Sequence, residues 1–140
     1  MKKLFLLMVA AICSLTMSAK PIFLDTGGPA LWGQDNATFF IWSWGETPGA
    51  LHALTPIAGD IYAADIADGE TYLLFARLPE GTTEETFDWA KAMNQTDDLE
   101  IPTSGEQQYI ITGWAGADGY WTFYAPSAVC TYQLKMLDTY

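Results

Sequence analysis

The 140 residues carry 17 acidic and six basic side chains, a formal net charge of −11 at pH 7, and half of the composition is hydrophobic. Such acidity disfavours nucleic acid and anionic membrane surfaces, both of which would repel the chain. A single histidine and two cysteines exclude a histidine-cluster zinc site and a disulfide framework.

The chain opens on Met1-Lys2-Lys3 and then runs uncharged from Leu4 to Met17 before the small pair Ser18-Ala19. This is the layout of a secretion signal, expected to be cut after Ala19. The apolar run is shorter than the roughly 20 residues needed to span a bilayer, so no membrane insertion is expected after the signal is removed. Cys13 follows Ile12, a poor context for lipid attachment, and it leaves with the signal. Cys130 then has no partner within the chain, and stability must come from packing. Residues 20–124 are expected to form one domain, secreted or periplasmic, with 125–140 as a C-terminal extension that adds an edge strand within Ala128 to Leu137.

Short runs rich in β-branched and aromatic residues alternate with turn signals, which predicts an all-β antiparallel sandwich of eight or nine short strands. A small barrel is the alternative. The predicted strands are Pro21 to Asp25, Ala37 to Trp44, Leu51 to Thr55, Ile61 to Asp65, Thr71 to Arg77, Leu99 to Pro102, Gln108 to Thr112 and Tyr120 to Tyr124. Between them stand Thr26-Gly27-Gly28-Pro29, Gly45 to Gly49, Gly59-Asp60, Asp68-Gly69, Thr103-Ser104-Gly105 and Gly116 to Gly119. One segment differs: Thr82 and Glu85 have the spacing of a capping box and predict a short helix from Thr83 to Met93, with Trp89 and Met93 on one face.

Groups for catalysis are scarce. His52 has no motif around it, Cys130 stands alone, and no catalytic residue is assigned. A carboxylate pair for glycoside hydrolysis would need a deep cleft, for which so small a sandwich leaves little room. No cofactor is expected and no metal ligand is assigned. The acids Asp65, Asp68 and Glu70, or Asp97-Asp98, could supply oxygen ligands to a structural calcium ion, although neither group has the spacing of a calcium loop.

Aromatic surface is what the chain has in excess, with six Trp, seven Tyr and seven Phe. A period of two in Ala37 to Trp44 places Ala37, Phe39, Ile41 and Ser43 on one face and Thr38, Phe40, Trp42 and Trp44 on the other. A strand apolar on both faces is either buried on both sides or presents its Trp side as a platform. Trp42 and Trp44 are about 6.6 Å apart along such a strand, a spacing that suits two neighbouring rings of a sugar chain.

Several motifs carry a resemblance. They are Trp32-x-x-Asp35-x-Ala37-x-Phe39, Ile61-Tyr62, Phe75-x-Arg77, Trp89 followed by Asn94-Gln95-Thr96-x-Asp98-Leu99-x-Ile101-Pro102, Tyr109-x-Ile111-Thr112-Gly113-Trp114, and Gly119-Tyr120-Trp121. Together they resemble a secreted module of Bacteroidetes-type gut bacteria that is similar to the family 26 starch-binding carbohydrate-binding modules. The resemblance spans about Pro21 to Phe123 and implies a β-sandwich. It also implies a sugar platform in which two aromatic residues at i, i+2 are joined by a Trp beyond the next loop. Trp42 and Trp44 match the first two positions; the third falls near Leu51 and His52, where no Trp stands. After Trp89 the family's Asp, Asn and Trp are replaced by Ala90, Lys91, Ala92 and Met93.

The best-matched motifs also have structural explanations. Asn94-Gln95-Thr96 is expected to bond its own backbone in a turn, Gly113 to supply a positive φ, and Trp114 and Trp121 to fill the core. The expected function is noncatalytic binding of starch or another α-glucan, with Trp42 and Trp44 stacking on sugar and His52 or a neighbouring polar residue bonding hydroxyls. The alternative is a secreted protein-interaction or structural module that has lost sugar binding. A small glycan-active enzyme is the third reading.

Overall fold

The computed structural model describes residues 19–125. The expected signal up to Ser18, the predicted last strand within Ala128 to Leu137, and Cys130 lie outside them.

Alternation is the local cause of the strands. Apolar side chains at every second position bury one face of a strand while its neighbours face outward. Among the described residues ten strands result: β1 (Ala19–Asp25), β2 (Thr38–Trp44), β3 (Ala50–Ala53), β4 (Thr55–Ala58), β5 (Ile61–Ala67), β6 (Tyr72–Leu78), β7 (Asn94–Gln95), β8 (Leu99–Glu100), β9 (Gln108–Ile111) and β10 (Gly119–Thr122). They form two open sheets. The first has the order β10-β9-β1-β5-β4, and the second β3-β2-β6-β7 with β8 also on β6. The architecture is a β-sandwich, and neither sheet closes into a barrel. Pairing is antiparallel except between β1 and β9, which run parallel in the register Phe23↔Gln108.

Ile22 and Leu24 from β1, Phe39 and Ile41 from β2, Leu73 and Phe75 from β6, and Tyr109 and Ile111 from β9 fill the space between the sheets. Phe75 is fully buried, with Tyr109 stacked on it at 5.6 Å and Trp121 tilted against it at 6.3 Å. Truncating an aromatic so placed costs about 3–5 kcal/mol. Trp121 thus meets the core as expected. Ala19, the expected last residue of the signal, pairs with Ala67 at the outermost position of β1, so cutting there removes one end pair.

The predicted helix from Thr83 to Met93 is absent. Thr82 does not cap it, because its hydroxyl donates to the Pro79 carbonyl at 2.8 Å. Thr83 and Thr86 instead close a local turn, the Thr83 N–H donating to Thr86 Oγ1 at 2.8 Å. Only a single 3-10 turn follows, Trp89–Lys91, begun by Asp88, whose side chain accepts from the Ala90 N–H. This segment is a strap laid across the outer face of the second sheet, where Phe87 and Ala92 pack against Phe40, Leu74, Ala76 and Leu78. The strap is why β2 is apolar on both faces. Its N-terminal half is covered by the chain itself.

Candidate aromatic cleft

Residues opposed in register share a face of a sheet. Trp42 opposes Leu51 on β3 and Leu74 on β6, and Trp44 opposes Tyr72. All five side chains therefore lie on the outer face of the second sheet, beyond the part that Phe87 covers. Trp42 and Trp44 are half-buried there. Trp89 stands over the end of the strap with 43 % of its surface exposed. Its ring meets Trp42 edge to face, at 6.1 Å and 83°. It also meets Phe87 at 4.8 Å and 87°. Tyr72 stacks on Trp44 at 5.8 Å.

The rings border an open cleft of about 380 Å³ lined by Trp42, Trp44, Leu74, Trp89, Gln95 and Asp98. An aromatic floor with a few convergent polar groups is the usual make-up of a small-ligand site. Trp42 and Trp44 come together as expected, and Trp89 supplies a third indole. The expectation that Trp89 shares a helical face with Met93 fails with the helix. Trp89 arrives from a strap distant in sequence, and no spacing rule on β2 points to it.

His52 does not join them. It opposes Ile41, whose side chain is in the inter-sheet core, so it projects from the opposite face of the sheet. There it lines a separate cleft of about 320 Å³ with Thr55, Asp65 and Glu84. Glu84 secures that side by accepting the Ala53 N–H of edge strand β3 at 2.9 Å. The expected placement of His52 beside Trp42 and Trp44 is corrected: the polar side chains that line the cleft with them are those of Gln95 and Asp98. Gln95 gets there because it opposes Ala76, an outer-face residue of β6.

His52 Nε2 lies 3.5 Å from Ser43 Oγ, and Ser43 donates to Glu70 Oε2 at 2.7 Å. Histidine, serine and carboxylate thus adjoin, yet in an order unsuited to a nucleophile. The serine proton is directed to Glu70, a carboxylate that other donors keep ionised and weakly basic, and not to the histidine. Ser43 is also fully buried. Glu70 accepts further bonds from the N–H groups of Glu46 and Thr47 and from the Thr47 hydroxyl. Burial works against ionisation of Glu70, but these bonds outweigh it and hold its carboxyl below the usual glutamate range. Its oxygens bind the 45–47 loop. Among the described residues no group of three or more metal-ligating side chains is assembled.

The motifs behind the resemblance converge on Arg77. Its Nε donates to the Trp32 carbonyl at 2.8 Å, and Nη2 donates to the Gln34 carbonyl at 2.8 Å and to Asp35 Oδ2 at 3.1 Å. Nη1 donates to Asn94 Oδ1 at 3.1 Å. Asn94-Gln95-Thr96 accordingly forms no self-bonded turn. Asn94 and Gln95 make β7, and Thr96 exchanges bonds with Phe75, its Oγ1 accepting the Phe75 N–H at 3.0 Å. Trp114 is not core either. It is 43 % exposed, with the Arg77 guanidinium over its ring at 5.6 Å. Gly113 lacks the expected positive φ; it is needed because a Cβ there would sit 2.9 Å from Asp118 Cγ. No helix among the described residues is long and apolar enough to cross a membrane. No family model, characterised protein or solved structure matches the chain.

Proposed function

We propose that the protein is an exported, noncatalytic carbohydrate-binding module whose aromatic cleft holds starch or another α-glucan. The observation that carries the reading is the position of Trp42 and Trp44 on the outer face of the second sheet. They border an open cleft with Trp89 instead of filling the inter-sheet core. Sugar rings present flat C–H faces, and indoles offer a matching apolar surface of defined geometry. With two or three rings and a few wet hydrogen bonds, dissociation constants of order 10 μM to 1 mM are expected. Isothermal titration with maltoheptaose and soluble starch tests this. Absence of heat, together with unretarded migration in gels containing either glucan, rejects it.

A second reading is a secreted protein-interaction or structural module. It draws on the contacts the rings already make, since Tyr72 occupies one side of Trp44 and Trp89 meets Trp42. A platform open to glycan is quenched strongly by acrylamide in the free protein and protected when maltoheptaose is added. Under the second reading the glucan changes nothing.

A further inference from the structure

The cleft has a polar wall as well as an aromatic floor. Gln95 on β7 and Asp98 in the link to β8 both line it beside Trp42, Trp44, Leu74 and Trp89. That link is anchored at each end on the same strand. Upstream, Ala76 opposes Gln95; downstream, Tyr72 opposes Glu100 and Leu73 opposes Leu99. The Asp97 N–H further donates to the Gly116 carbonyl at 2.9 Å. A link held at three points can present its side chains at a fixed height above the indoles, which is what orienting a ligand demands.

A primary amide offers two donors and an acceptor, and a carboxylate offers acceptors alone. The pair thus complements the hydroxyls of a sugar whose ring rests on the floor. The same carboxylate rejects a second one, because opposed like charges cost several kcal/mol when water is displaced between them. No Lys or Arg lines the cleft to offset that repulsion. Glu100 lies on the same face, opposite Tyr72, and the chain as a whole is strongly acidic.

Resting on the glycan-binding reading, we infer that Asp98 sets the specificity of the site, rejecting uronic acids of the same linkage, while Gln95 supplies hydrogen bonds that hold an uncharged sugar. Discrimination then comes from a repulsive group as much as from an attractive one. It is tested by titrating the native chain, Asp98→Asn and Gln95→Leu at low salt against two probes. One is maltoheptaose; the other is its fully C6-oxidised counterpart, in which every primary hydroxyl has become a carboxylate.

The native chain should prefer the neutral probe by about tenfold or more, and Asp98→Asn should narrow that preference to below about threefold. Gln95→Leu should weaken neutral binding by about three- to tenfold and leave the preference intact. Thermal melts of all three proteins show that the variants are folded. A native chain that binds neither probe overturns the glycan-binding reading and this inference with it. A native chain that binds both alike, or an Asp98→Asn variant with undiminished preference, overturns the inference alone.

Discussion

Gly49 lies directly against the indole of Trp42: a Cβ at Gly49 would sit 2.9 Å from both Cε2 and Cη2 of that ring. Its φ of +153° is also one that a side chain disfavours. The loop before β3 therefore seats the first ring of the cleft. Gly49→Ala should displace that ring, lowering maltoheptaose affinity about tenfold while costing about 1–3 kcal/mol of stability. Titration and a urea melt on the same preparation separate the two effects. Unchanged affinity would mean that the seating of Trp42 does not matter for binding.

Three indoles define the cleft, and a fourth, as exposed as Trp89, stands apart from it. Trp42→Ala, Trp44→Ala and Trp89→Ala should each weaken glucan binding by about five- to thirtyfold, or about 1–2 kcal/mol. Trp114→Ala should change it less than twofold, since Trp114 rests on Arg77 and does not line the cleft. Affinity electrophoresis in soluble starch ranks all four variants in one experiment. A Trp114 effect equal to that of Trp89 would move the site.

Arg77 is 4 % exposed, whereas the Asp35 side chain is 72 % exposed, so the two ends of their ion pair should respond unequally. Arg77→Met leaves the Trp32 and Gln34 carbonyls without their donor and should cost about 2–4 kcal/mol. Asp35→Asn keeps a side chain that tolerates the local φ of 64° and loses only a solvent-screened charge, at a cost below about 1 kcal/mol. Arg77→Lys should fall near the Met variant, because one ammonium cannot span the separate acceptors of a guanidinium fork. Chemical denaturation midpoints provide the comparison.

Glu70 makes stability depend on acid. Its folded carboxyl titrates below the ordinary value of 4.5, so on acidification the unfolded chain takes up the proton first. Its contribution is complete above about pH 4.5 and disappears as pH falls through the lowered folded value. Glu70→Gln should cost about 1–3 kcal/mol at pH 7, and the difference from the native chain should shrink steadily between pH 5 and pH 2. Parallel melts over that range measure it; a difference independent of pH would show that the charge of Glu70 is immaterial.

The sequence made most of the long strands legible because their alternation of apolar and polar positions is a local signal. Both faces of β2 were correctly separated because side chains alternate sides along any strand, whatever their polarity. β4 escaped notice, since Pro56 and four exposed residues suit an edge strand that packs against little. β7 is two amide residues whose strand character comes wholly from pairing with Ala76 and Arg77. His52 illustrates a deeper limit. Which face it occupies depends on whether it opposes Ile41 or Trp42, and a slip of one residue exchanges the two. Register is a property of two strands, so neither strand alone encodes it. Trp89, Gln95 and Asp98 reach the cleft through similarly long-range contacts, and none of them was read as part of an aromatic site.

The parallel pairing of β1 with β9 bears on how the molecule is made. β1 is the first strand among the described residues and yet the central strand of its sheet, with Phe23 beside Gln108. A nascent chain therefore has its earliest strand available long before one of the two partners that flank it. Closing so long a loop is entropically costly, and folds rich in such contacts form slowly. The sandwich therefore cannot be completed until β9 has been synthesised, late in the described residues.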